Sequence, residues 1–354
     1  MTTKNPFVSI ILPIRNESAS IRHVLSALLT QDYSAAHIEV LIADGMSTDG
    51  TPEIIRHFAD LHPELRVRLL ENPCHIVPTG LNLALRCARG EVIVRVDGHT
   101  LIAPDYVRRC VETLQRSDAD NVGGRMKAVS SSAFGKAVAL ATSTPFGVGG
   151  ARFHYSEREE WVDTVYMGAW PRRIFEKIGL FDEELVRDQD DEFNYRLRAQ
   201  GGRILLSPAI HSEYTVRSTP RALWRQYFQY GYWKVRVLQK HPRQMRLRQF
   251  APPAFVFGLF ISLFLLFFPF PSFTVHPSLF LPLAYLVANL IASALTTLPN
   301  PQFPHFPTPN PLLPLVYAIL HISYGLGFLT GLLVFARRWG DKQGRTPVLA
   351  SEDA

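Results

Sequence analysis

Between Arg248 and Arg337 the sequence contains no aspartate, glutamate, lysine or arginine. Soluble domains seldom leave so long a stretch uncharged. Three apolar runs lie inside it, roughly Pro252 to Phe270, Leu279 to Leu298 and Leu312 to Phe335. Each approaches the ~20 residues that cross a ~30 Å hydrocarbon core, so the region is expected to enter a membrane. Cysteine is also scarce. Cys74, Cys87 and Cys110 form no C-x-x-C pair, which argues against a zinc site and a disulfide framework and leaves them as small apolar residues in a reducing compartment. The N-terminus, MTTKNPF, has no apolar core of a leader. The expectation is that no secretory signal precedes the N-terminal part, which stays cytosolic.

Charge is shared unevenly. Met1 to Glu213 holds 24 Lys and Arg against 28 Asp and Glu, a net of −4, whereas the remainder holds 13 against 3, a net of +10. The basic residues adjoin the apolar region and no nucleic-acid recognition motif, so the partner they imply is a membrane surface and not nucleic acid. These shifts divide the chain at 1–213, a basic aromatic segment 214–250, an apolar region 251–336 and a basic, then polar, tail 337–354.

Within the first part, Val8 to Leu12 and Ile38 to Ala43 read as buried strands, Arg66 to Leu70 as a weaker one, and Val92 to Val96 as a fourth. Helices are expected near Ala19 to Leu29, after Thr51, and from Pro78 to Ala88. This β-α-β-α alternation predicts an α/β fold with a mainly parallel, doubly wound sheet. The glycine- and serine-rich stretch up to Gly150 reads as a mobile connection. A helix from Asp190 to Gln200, capped by Gly201, and another opening at Thr219 and Pro220 follow. In the latter, Arg221, Arg225, Arg236 and Lys240 are expected to snorkel from a helix lying at the membrane surface.

Acidic residues stand at three strand ends: Glu17 after the first, Asp44 after the second and Asp97 after the fourth. In open α/β sheets that edge receives ligands, and carboxylates there can bond a base and ribose or anchor a cation. In IVRVDGHT, Gly98 allows a tight turn, so that His99 can face the same ion as Asp97. An imidazole beside a carboxylate leans toward Mn²⁺ over Mg²⁺. A turn histidine bonding only locally is the alternative.

The stretches VSIILPIRNES, IEVLIADGMSTDGT, PTGLNLALRCARGEVIVRVDGHT, GLFDE and DQDDEFNYRLRAQGGRI together resemble the family 2 glycosyltransferases with the GT-A fold. The likeness is nearest the membrane-attached branch typified by succinoglycan-biosynthesis enzymes. It implies a Rossmann-like nucleotide-diphospho-sugar transferase domain with a C-terminal helical membrane region at the plasma membrane, multi-pass, with the catalytic domain cytosolic. It further implies an inverting transferase, a nucleotide-sugar donor, a divalent metal (Mn or Mg) and a lipid-linked or glycan acceptor in exopolysaccharide or cell-surface glycan synthesis. By matching position, Pro13 and Glu17 would line the nucleobase pocket, Asn16 would shape its loop, Asp44 would contact base or ribose, Asp49 would support that loop, and Asn82 would lie near the donor. Asp97 matches the first acid of the D-x-D motif. His99 departs from the second, which puts the metal's identity in question.

Inversion needs a base for the acceptor hydroxyl. The resemblance assigns it to Asp190, with Gln189 in place of the usual Glu, Asp191 as an adjacent competitor and Glu192 on the motif's later acid. A solvated acidic turn is the bland alternative. Gln229 and Trp233 only partly echo the Q-x-x-R-W of processive relatives, which favours one sugar per encounter, with Trp233 on the acceptor or in a core. A polyprenyl-phosphate sugar synthase and a non-catalytic membrane scaffold are the other readings.

Overall fold

A computed structural model describes residues 5–270, 276–298, 310–342 and 344–349. In chain order its elements begin with β1 (Val8–Ile14), α1 (Ile21–Leu29), β2 (Ile38–Asp44), α2 (Thr51–Leu61), β3 (Arg66–Glu71), α3 (Val77–Cys87) and β4 (Val92–Arg95). There follow β5 (Thr100–Ile102), α4 (Tyr106–Arg116), β6 (Asn121–Val129), α5 (Ala133–Thr142), α6 (Pro145–Val148), β7 (Glu160–Trp161), β8 (Tyr166–Pro171), α7 (Arg173–Ile178) and α8 (Gln189–Ala199). The chain closes with β9 (Ile204–Thr215), α9 (Pro220–Lys240), α10 (Leu247–Leu265), α11 (Phe280–Thr296) and α12 (Leu313–Val334).

The chain divides into two units: Met1–Lys127 with Ala151–Thr215 and Gly344–Ala354, and Ala128–Gly150 with Val216–Gln343. In the first unit, the sheet runs β3-β2-β1-β4-β8-β6-β9-β5, with β7 on β9. The first four strands are parallel; β8 meets β4, β6 meets β8, and β5 and β7 meet β9, all antiparallel. Strand order reverses between β1 and β4. A crevice opens at the carboxyl ends of strands on either side of such a reversal, which is where ligands bind in open α/β sheets.

Period-two alternation decides which face each side chain covers. Val8, Ile10, Leu12, Val40, Ile42, Val92 and Val94 join one core cluster with residues of α1, α2 and α4. Ile11, Leu41 and Ile93 join the other with residues of α3, α7 and α8. Both faces are covered, which is why these strands read as nearly continuous apolar runs. Arg95 and Asp97 continue the register of Ile93 and so fall on the face of α8. That helix is seated by aromatic packing: Phe193 lies 4.6 Å from Phe181 and 5.8 Å from Trp170 between ring centroids, the latter edge-on.

The stretch expected as a mobile connection is helical. Ser132 Oγ accepts from Gly135 N to start α5, and Ala137 through Thr142 are buried; the small apolar residues that suggest a linker instead allow close packing. Thr144 caps α6 in the same way. Both helices belong to the second unit, where His321 Nε2 bonds Phe146 O (2.8 Å) and Tyr317 OH bonds Thr144 Oγ1 (3.0 Å).

Also in the second unit, α10, the segment Pro277–Thr296 and α12 have 19, 20 and 22 residues and are apolar enough to cross a membrane, about 30 Å each at 1.5 Å per residue. The helix α9 lies along α12. A Cβ on Gly231 would meet Tyr324 O at 2.0 Å and one on Gly327 would meet Phe228 O at 2.0 Å, so glycine on each helix permits the backbones to approach. Arg221 and Arg225 are exposed as expected, but Arg236 is fully buried and Lys240 nearly so. Arg236 donates to Gln239 Oε1 (2.5 Å), with the Asp341 carboxylate at 3.5 Å. Packing against α12, rather than exposure at a surface, decides where these cations lie.

The segment from Gly344 belongs to the first unit and pairs with the turn after α7. Leu180 N donates to Pro347 O (2.9 Å), Glu183 N to Arg345 O (2.8 Å) and Arg345 N to Asp182 Oδ1 (2.9 Å).

Candidate active site

The loops after β1 and β2 are stitched to each other. Ser47 donates from Oγ to Asp44 Oδ1 (2.5 Å) and from N to Asp44 Oδ2 (2.9 Å), and Ser47 Oγ in turn accepts from Asn16 N (2.7 Å). Asn16 Oδ1 accepts from Thr48 N (2.9 Å), and Asn16 adopts φ +56°, a conformation asparagine tolerates better than most residues. Asp49 receives Ser18 N and the Thr51 hydroxyl, while Thr51 Oγ1 accepts from Glu17 N. Burial opposes ionisation of Asp49, yet the hydrogen bonds from Thr51 and Ser18 hold its carboxyl far below the usual carboxylate range. Pro13, half-buried on β1, sits beside Ala43 of β2 at the same edge.

At the end of β4, Arg95 and Asp97 are two residues apart on an extended chain and share a face. Arg95 Nε lies 2.8 Å from Asp97 Oδ1 and its NH2 3.3 Å from Oδ2. The same guanidinium reaches α8, with NH1 3.9 Å from Asp190 Oδ2. Burial works against the Asp97 charge, but the Arg95 guanidinium, then His99, hold its carboxyl below the ordinary value. Tyr166, hydrogen-bonded to Thr100 (2.6 Å), has its hydroxyl pushed well up by burial and by the Asp97 charge.

His99 turns the other way. Its Nδ1 pairs with Glu17 Oε1 (3.1 Å), and Ser20 Oγ donates to Glu17 Oε2 (2.8 Å). Gly98 is not in the left-handed region; what it supplies is room, since a Cβ there would meet Ile14 Cγ2 at 2.8 Å and Glu17 Cγ at 3.0 Å. Asp97 and His99 therefore stand on one turn with different partners. Among the described residues no group of three His, Cys, Asp or Glu could cage a metal. A cation at this edge would draw on the Asp97 carboxylate, which Arg95 already engages, and on His99, and would take its remaining ligands from substrate phosphate oxygens.

The three helix acids separate by partner. Asp190 is partly exposed and its Oδ1 accepts from Asp191 N (2.9 Å); Asp191 is half-buried. Glu192 is buried and receives Arg196 Nε at 2.6 Å, so it is committed to the helix interior. Asn82, expected near the donor, is a clasp: Nδ2 donates to Phe181 O and Glu183 Oε1, and Oδ1 accepts from Phe181 N, all at 2.9 Å. Trp233, in the second unit, packs on Phe335 with ring centroids 5.9 Å apart, and Gln229 lies on the same helix. Arg95, a cation inside an otherwise apolar strand, was not among the residues expected at the site. Its signal was a lone cation two residues before the strand-end acid.

Residues 9–179 match the family described as glycosyl transferase family 2. The chain is 29% identical over 334 residues to the succinoglycan biosynthesis protein ExoA of Rhizobium meliloti (strain 1021), covering 93% of this chain and 96% of that one. It is 28% identical over 240 residues to the dolichyl N-acetyl-alpha-D-glucosaminyl phosphate 3-beta-D-2,3-diacetamido-2,3-dideoxy-beta-D-glucuronosyltransferase of Methanococcus voltae, 66% of this chain and 74% of that one. Among solved structures, the mannosyltransferase PcManGT from Pyrobaculum calidifontis in complex with GDP-Man and Mn²⁺ aligns with a TM-score of 0.61 at 21% identity, over 92% of this chain and 88% of that one. At that identity the likeness concerns the fold, which is GT-A.

The Asp97 environment makes a pH-dependent prediction. A carboxyl depressed on folding adds stability above its unfolded pKa of about 3.9 and loses it as pH falls through the folded value. Asp97→Asn should therefore melt below wild type at pH 7, with the gap closing as the pH of the melt is lowered below about 4. A gap that stays constant with pH would contradict the ion pair.

Proposed function

A family 2 glycosyltransferase domain makes this chain a glycosyltransferase, and from that premise we propose an inverting transfer of one sugar from a nucleotide-diphosphate donor to a hydroxyl of a lipid-linked or polysaccharide acceptor at the cytosolic membrane face. The observation that carries this is the single guanidinium of Arg95, which sits between the strand-end acid Asp97 and the helix acid Asp190. Asp97 belongs to the donor side and Asp190 to the acceptor side. The acceptor oxygen bonds the anomeric carbon from the face opposite the diphosphate, its proton passes to the Asp190 carboxylate, and the carbon–oxygen bond to the diphosphate breaks with its electron pair. Partial exposure suits Asp190 to meet an acceptor; the buried pair with Arg196 removes Glu192 from that task.

The loops holding Asn16, Glu17, Asp44 and Asp49, with Pro13 behind them, form the nucleoside end of the donor site, and Asp97 the diphosphate end. Asp97 and His99 would hold a divalent metal, Mn or Mg, which when bound neutralises the departing diphosphate. The names of the two relatives, succinoglycan synthesis and a dolichyl phosphate sugar, support an acceptor in glycan or lipid-linked synthesis.

Chain connectivity supports an even number of membrane crossings. The first unit is left after Thr215 and rejoined at Gly344, and the basic residues Lys240 to Arg248 and Arg337 to Arg345 flank the helices on the cytosolic side. The middle run is a regular helix that exposes Leu283, Leu286, Val287, Leu290, Ile291 and Leu295. Half of the apolar stretch of α12 is buried, against 17% for α10 and 11% for Pro277–Thr296. The hairpin α10–α11 crosses, and α12 stays with α9 at the interface.

Loss of a positioned base costs on the order of 10² to 10⁴ in rate. Asp190→Asn should lower transfer by about that much while donor nucleotide binding stays near wild type; a damaging Asp191→Asn beside a neutral Asp190→Asn would move the base by one residue. For topology, reporters fused after Leu298 and after Ala354 should both read as cytosolic. An external reading at Ala354 would establish three spans.

A further inference from the structure

We propose that Gly344–Leu349 is a positioning strap for the active site, a segment that fixes the turn from which α8 presents Asp190. The inference rests on the reading of Asp190 as base.

The turn Gly179–Leu185 joins α7 to the approach of α8 and has three supports. From α3, Asn82 clasps both Phe181 backbone groups and the Glu183 side chain. From α8, Arg196 donates to Ile178 O and, at 2.7 Å, to Leu180 O, so turn and helix move together. The third support is the strap. It takes up the N–H groups of Leu180 and Glu183 through Pro347 O and Arg345 O, and Arg345 N bonds the buried carboxylate of Asp182 at 2.9 Å. Leu349 enters the apolar cluster that holds Phe175, Phe181 and Phe193, the rings on which α8 rests.

The consequence is chemical. A base must stay within hydrogen-bond reach of the acceptor hydroxyl, and misplacement of about 1 Å can cost up to ~10² in rate. Removing the strap leaves two backbone donors and a buried carboxylate with fewer partners, and the turn can relax together with α8. The loops after β1 and β2, which form the nucleoside end, make none of these bonds. Strap loss should therefore slow chemistry and spare donor binding. Because the strap follows the membrane helices in the chain, full activity requires a chain that has completed its passage through the membrane region and returned.

The test uses the whole protein in detergent or bilayer discs, comparing wild type with a chain ending at Gln343, with Arg345→Pro, which removes the N–H but keeps the carbonyl, and with Val348→Ala at an exposed position as control. The readouts are donor KM and kcat, with backbone hydrogen exchange over residues 178–190. The proposal expects kcat to fall at least about 10-fold in the shortened chain, with KM for donor within about 2-fold. It expects faster exchange over 178–190, a smaller fall for Arg345→Pro, and recovery on adding a peptide of residues 344–354. Wild-type kcat in the shortened chain, or parallel loss of kcat, donor binding and melting temperature that the peptide does not restore, would overturn it. If wild type turns over no nucleotide sugar, the transferase mechanism fails instead. Exchange over 178–190 then still decides whether the strap holds the turn.

Discussion

The buried guanidinium of Arg95 is the constraint on which the site depends. Its side chain is 7% exposed, and a cation so placed is tolerable only with partners close at hand. Asp97 supplies one with two hydrogen bonds; Asp190 supplies a second charge at 3.9 Å. Burial disfavours the guanidinium charge, and the two carboxylates more than restore it. The β4 end and the α8 start are thereby tied through charge and not only through packing. The alternation of β4 directs Arg95 toward the α8 face; a one-residue slip would point it at α4 instead.

Around this pair the polar groups are already spent on one another. Asp44 holds Ser47, Ser47 holds Asn16, Asn16 holds Thr48, and Asp49 joins Ser18 to Thr51. Loops fixed in this manner lose less freedom when a ligand arrives, which favours binding. On the other side of the reversal, Glu17 holds His99 and accepts from Ser20, whose hydroxyl also reaches Gly98 O. The edge is preorganised on both sides of the β1–β4 crevice.

Much of this was legible in the sequence, for definite reasons. Strands β1, β2 and β4 are β-branched runs between turn residues, so their ends, and hence Glu17, Asp44 and Asp97, could be placed without coordinates. The parallel half of the sheet followed from the βαβ alternation; the antiparallel half did not, because glycines in β6 and β8 and the polar residues and proline of β9 blur the period. The helix α5 was hidden by its small residues, which read as a linker until burial is known. Partner choice was the least legible feature. Asn82 and Glu192 are polar residues within motifs, and nothing in their spacing says that one clasps a turn and the other an arginine. The return of Gly344–Leu349 to the first unit is a contact distant in sequence, with no periodic trace.

The most direct test of the account is a double-mutant cycle on thermal stability with Arg95→Met and Asp97→Asn. Removing one partner of a buried pair leaves an uncompensated group, whereas removing both relieves it. The account predicts that Arg95→Met alone is destabilised by about 3–5 kcal/mol and that the double variant recovers part of that loss. Losses that simply add would contradict it.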